Sequence, residues 1–237
     1  MAHFVLIHGA WHGGWCWHRI VARLQRASHR VTAPDLLGLG IDSTPPGRVS
    51  LDRWTDQIVE IIESASEPVV LVGHSRGGIV LSAVAERIPE RIRTLVYVTA
   101  FLLESGVSLL EAAARIAGSL VPPAMVIAED HCSATMRPDA VHEAFYGCCN
   151  DDEVALAMAL LKPEPLAPLA TPTRISAERF GRVPRVYVEC LRDRAITHAA
   201  QRRMQSALPC RDRITLDTDH SPFFSRPDEL ANALLGL

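Results

Sequence analysis

Six short apolar or β-branched runs punctuate the chain, at 4–7, 30–33, 69–72, 94–98, 185–189 and 213–217. Each has the length of a strand. Amphipathic stretches of helical length separate them, clearest at 14–27, 51–64, 76–87, 197–208 and 227–235. Strands alternating with helices form βαβ units, whose right-handed crossovers give a parallel sheet. The clearest runs are continuously apolar rather than alternating, as a sheet covered by helices on both faces requires. The expected class is α/β, with a mostly parallel six-stranded sheet between helical layers.

The alternation fails between about 103 and 182, a stretch rich in Ala, Leu, Met and Pro. Helical patterns occur at 109–117 and 151–161, a proline-rich segment follows at 162–172, and no convincing strand is visible. An insertion of this size between two strands reads as a helical lid over the C-terminal edge of the sheet, where open α/β sheets bind ligands. With 237 residues, the expectation is a single domain, 1–237, that can bury a full core.

A formal net charge of −3 gives no basic surface for nucleic acid or an anionic membrane. No apolar run approaches the roughly 18 residues of a membrane span. The six cysteines lack zinc-like spacing, and Cys148 and Cys149 are adjacent, so they read as free thiols in a cytoplasmic protein.

Chemistry concentrates at Gly73-His74-Ser75-Arg76-Gly77, directly after one strand and at the start of a helix. G-x-S-x-G in that setting is a nucleophile elbow, in which a strained turn lifts the serine above the sheet. The flanking glycines leave room where a Cβ would meet the neighbouring strand and helix. A serine nucleophile needs a base, and the base an orienting acid. His220 lies just past the last strand and suits the base; Asp193, at the end of the 185–189 run, suits the acid. Glu104, after the 94–98 run, is the competing acid. The turn after the first strand, His8-Gly9-Ala10-Trp11-His12-Gly13, suits an oxyanion site. Its donors are assigned to the backbone N–H groups of Ala10 and Arg76. His8 and His12 have no third ligand nearby, so they read as hydrogen-bonded within their loop, with no metal.

The sequence resembles the α/β-hydrolase superfamily, in particular its methylesterase and hydroxynitrile lyase branch. It also resembles bacterial carboxylesterases of similar size, pyrethroid-type esterases included. The resemblance rests on the 3–15 segment, Gly73-His74-Ser75, Glu178-Arg179-Phe180-Gly181 and Asp219-His220-Ser221-Pro222. It implies an α/β-hydrolase fold and a serine carboxylic-ester hydrolase that works through an acyl-enzyme without a metal or organic cofactor. The lyases of this branch carry a threonine after the first-motif histidine and a lysine after the catalytic histidine. Here Gly9 and Ser221 stand there, which disfavours the lyase. Ser75 argues against dehalogenases and epoxide hydrolases, whose elbow carries aspartate. C–C bond hydrolysis, thioester cleavage and a ligand receptor with vestigial hydrolysis stay open. The partner is a small-molecule ester, and a homodimer is compatible with the chain.

Apolar side chains of the lid and its surroundings imply a small or medium substrate with an aromatic or alicyclic part. Trp11, Leu102, Met125, Phe145, Met158, Phe180 and Phe223 are the expected lining residues. The Arg76 side chain either biases substrate charge or pairs with an acid.

Overall fold

The computed structural model describes residues 1–237. Its first strand, β1 (His3–Ile7), leads through a short 3-10 turn into α1 (His18–Arg26) and β2 (Arg30–Thr32). Helix α2 (Leu51–Glu63) follows, started by Ser50, whose hydroxyl accepts the Arg53 N–H. The centre comprises β3 (Val69–His74), α3 (Gly77–Arg87) and β4 (Ile92–Val98). Then come α4 (Leu109–Ala114), α5 (Val121–Ala124), β5 (Met125–Ile127), β6 (Ser133–Met136), α6 (Pro138–Phe145), α7 (Asp151–Leu160), β7 (Glu164–Pro165) and α8 (Leu166–Ala170). The chain returns to the sheet in β8 (Arg185–Cys190), α9 (His198–Ala207) and β9 (Asp212–Leu216), and ends in α10 (Pro222–Ser225) and α11 (Pro227–Leu235).

The main sheet has six strands in the order β2-β1-β3-β4-β8-β9, and every pairing is parallel. Side chains alternate across it. Val5, Ile7, Leu71, Leu95 and Tyr187 face one layer, packed with Trp54, Ile58 and Val84 of α2 and α3. Phe4, Leu6, Val70, Val72, Val96 and Val188 face the other, with Ile20, Leu24, Leu230 and Leu234 of α1 and α11. All six residues of β3 are buried, so its run shows no polar face. Register brings Ile7 opposite Gly73, His74 opposite Val98, and Cys190 opposite Leu216. The loops leaving these strands therefore emerge at one edge.

The segment between β4 and β8 is not wholly helical as expected. It contains a small antiparallel sheet, β5-β6-β7. Its strands are two to four residues long, too short to show a period, and β7 contains Pro165. Capping boxes at Ser108–Glu111 and Asn150–Glu153 start α4 and α7. No helix of the chain is long and apolar enough to cross a membrane.

Candidate active site

Ser75 sits between β3 and α3 with φ +52°, in the left-handed region that a nucleophile elbow imposes. Neighbouring atoms enforce the flanking glycines. A Cβ on Gly73 would lie 2.4 Å from the Leu81 side chain and 3.1 Å from the Gly77 backbone, and one on Gly77 would lie 2.9 Å from the Ile7 carbonyl oxygen. Replacing Gly9 would put a Cβ 2.6 Å from the buried His74 ring and 3.0 Å from the Ser75 Cβ. Gly9→Ala is therefore expected to cost about 1–3 kcal/mol through overpacking, read as a lower Tm in calorimetry.

His220 follows β9 and is buried. Its Nδ1 is 2.6 Å from Asp193 Oδ2. Asp193 follows β8, and Thr99, just past β4, donates its hydroxyl to the same oxygen. Asp193 Oδ1 accepts the N–H groups of Ala195 at 2.7 Å and Ile196 at 2.8 Å. The carboxylate is thus held from both sides. Because it can only accept, Nδ1 of His220 carries the proton and Nε2 is free to act as a base. His74 Nε2 donates to the His220 carbonyl at 2.7 Å, which ties the histidine loop to the elbow.

Glu104, the competing acid, and the two aspartates just before His220 have other places. Glu104 is exposed and borders a separate groove with Arg203 and Met204. Asp217 pairs with Arg192 on the surface, at 2.5 Å. Asp219 is taken up by its own loop and by the inserted segment, accepting from Ser221 N–H at 3.1 Å and Cys148 N–H at 2.7 Å.

Ser75 and His220 open onto a cavity of about 270 Å³ that Ala10 and Arg76 also line. Neither the Ala10 nor the Arg76 N–H is bonded within the protein, so both can serve an oxyanion. Apart from Ser119 the remaining wall is apolar, with Phe101, Leu109, Leu110, Val121, Leu169 and Ile196 among its residues. Three of the expected lining residues, Trp11, Met125 and Phe145, belong to this wall. The other four do not. Leu102 borders a separate groove beside α9. Met158 faces outward next to Lys162. Phe180 is in the core beneath the Arg185 guanidinium, 4.7 Å from it. Phe223 is buried behind the site, against His74 and Trp17. Apolar composition alone does not distinguish a wall from a core. α4 and the Ser119–Met125 turn supply much of the wall, and nothing in their periodicity marks them.

The first loop is built from paired histidines. His8 Nδ1 donates to the Gly9 carbonyl at 2.9 Å, and its Nε2 accepts the Leu36 N–H at 3.1 Å. His12 Nδ1 donates to the Ala10 carbonyl at 2.7 Å, and its Nε2 accepts the Tyr146 hydroxyl at 2.6 Å. Burial pushes His12 down to about 4 and lowers His8 and His74 well below the ordinary histidine value. All three are neutral hydrogen-bonding struts. The Arg76 side chain is buried too and pairs with Glu164 of β7 at 3.0 Å. Burial raises the Glu164 carboxyl while the Arg76 charge pulls it back.

A proton-accepting histidine held by a carboxylate, a strained serine and two unpaired amides around one apolar cavity form the constellation for acyl transfer. A sequence profile of the alpha/beta hydrolase family matches residues 4–233. The chain belongs to the alpha/beta hydrolase family. Methylesterase 1 of Arabidopsis thaliana is 32% identical over 248 residues, covering 98% of this chain and 94% of that protein. The crystal structure of polyneuridine aldehyde esterase superposes with a TM-score of 0.90 at 26% identity, over 100% of this chain and 98% of that one. A pyrethroid hydrolase, PytH, superposes with a TM-score of 0.87 at 26% identity, over 100% and 96%. With these likenesses, the enzyme is a serine esterase of the carboxylesterase and methylesterase type.

Proposed function

We propose that this esterase hydrolyses small or medium hydrophobic carboxylic esters, with an aromatic or alicyclic part, through an acyl-enzyme on Ser75. The observation that carries the reading is the apolar cavity of about 270 Å³ onto which Ser75 and His220 open. Its aromatic members, Trp11, Phe101 and Phe145, favour a ring in the substrate. Arg76 is the one Lys, Arg, Asp or Glu side chain that lines it, and it is already paired with Glu164.

The geometry supports the following proposed steps. His220 Nε2 takes the Ser75 proton as Oγ attacks the ester carbonyl. The Ala10 and Arg76 N–H groups receive the developing oxyanion. The imidazolium, stabilised by Asp193, protonates the leaving alcohol as the tetrahedral intermediate collapses. Water then enters, loses its proton to His220, and releases the acid from Ser75.

The test is turnover of a p-nitrophenyl ester series, from acetate to octanoate, by the wild-type enzyme. An optimum within the series is expected. A folded protein that turns over none of them would overturn the reading in favour of a receptor, thioester or C–C bond substrate. Leu110 is half-buried on the wall. Leu110→Trp should move the optimum to shorter acyl chains and cut octanoate kcat/KM by about 10-fold or more, the usual scale of steric discrimination.

A further inference from the structure

The buried pair between Arg76 and Glu164 lies outside the steps just described. We propose that it is a positioning device that sets the direction of the Ala10 N–H, an inference that rests on the proposed serine ester hydrolysis. Arg76 Nη2 donates to the Gly9 carbonyl at 2.9 Å. That carbonyl and the Ala10 N–H belong to one trans peptide unit, so they point in opposite directions. Holding the oxygen toward the guanidinium aims the N–H away from it. His8 Nδ1 donates to the same oxygen, and two donors on one carbonyl also polarise the amide and strengthen its N–H as a donor.

Glu164 secures the other side of Ala10. Its Oε2 accepts the Trp11 N–H at 2.8 Å, and Trp11 is held at φ +62°, a strained conformation for an aromatic residue. The adjoining Lys162 N–H donates to the Trp11 carbonyl at 2.9 Å. The guanidinium is further fixed over the Trp54 ring, 4.3 Å from its centroid. Both charged side chains are at most 1% exposed. Arg76 thus offers its own backbone N–H as one oxyanion donor and orients the other through its side chain. The pair also ties strand β7 of the inserted segment to the oxyanion loop.

The experiment compares Arg76→Met, Glu164→Gln and the double variant Arg76→Met/Glu164→Gln, which keeps an acceptor for the Trp11 N–H, with wild type. The readouts are kcat, KM, Tm and the affinity of an aryl trifluoromethyl ketone. That ketone forms a hemiketal: Ser75 Oγ bonds to its carbonyl carbon, the hydroxyl proton passes to His220, and the carbonyl π pair becomes the oxyanion. The matching methyl ketone, which stays trigonal, reports ground-state binding.

Arg76→Met and the double variant should lose about 10–10²-fold in kcat, approaching the 10²–10³ of a deleted donor, with KM little changed. Trifluoromethyl ketone affinity should fall by the same factor while methyl ketone affinity holds. Glu164→Gln keeps an oxygen for the Trp11 N–H and should lose less. The double variant should recover the Tm that Arg76→Met loses, since no unpaired buried charge remains, without recovering kcat. Recovery of kcat together with Tm, or wild-type kcat in the double variant, would reduce the pair to a structural contact. An unchanged trifluoromethyl ketone affinity would also overturn the proposal. A wild type that hydrolyses no ester overturns the underlying reading, and this proposal with it.

Discussion

Asp193→Asn is expected to lower kcat by about 10⁴-fold while the fold and KM persist. The hydrogen bonds around the carboxylate dictate this. Oδ1 accepts two backbone N–H groups, from Ala195 and Ile196, so the asparagine oxygen must occupy that position. Its NH₂ then faces His220 Nδ1 and the Thr99 hydroxyl. A donor there forces His220 into the tautomer that carries its proton on Nε2. That nitrogen can no longer accept the Ser75 proton. Ser75→Ala, which removes the nucleophile itself, should cost at least as much, on the order of 10⁴–10⁶. Steady-state kinetics on a p-nitrophenyl ester, with Tm as the check on folding, measures both. Near-normal kcat in Asp193→Asn would mean that another acid orients the histidine.

Much of this site was legible because it lies where strands end. Ser75 and Asp193 follow buried, mostly apolar runs, His220 follows the more exposed edge strand β9, and parallel register brings those ends together. Thr99 obeys the same rule one residue after β4, yet a threonine after a strand carries no signal of its own. Glu164 was invisible for a stronger reason. Its partner is 88 residues away, as the numbers 76 and 164 give, and it sits in a two-residue strand in a proline-rich stretch. Composition is the only sequence signal for lining residues, and it cannot tell Phe145 on the wall from Phe180 and Phe223 in the core. Tertiary packing decides that, and local pattern does not encode it.

Acidification should destabilise the protein well before its carboxylates protonate. His8, His12 and His74 are at most 1% exposed, and each is held neutral with its value lowered by burial. In the unfolded chain each returns to about 6.5. The unfolded state therefore binds more protons as pH falls, and stability drops with it. Their contribution is fully present above about 6.5. For His12 it falls until pH reaches the folded value of about 4, and His8 and His74 act in the same direction because burial lowers both. Between pH 7 and 5.5 His12 should cost about 1 kcal/mol, and the three histidines together a few kcal/mol. For a chain of this size that is a fall in Tm on the order of 10 °C. Calorimetry across that range, in buffers of different ionisation enthalpy, should also find an uptake of about three protons on unfolding at pH 5.5. The same protons act on the active-site loop. A charged His12 could no longer accept the Tyr146 hydroxyl while its Nδ1 still holds the Ala10 carbonyl. A Tm that stays flat over this range would show that the folded protein takes up these protons without losing the struts that shape its oxyanion loop.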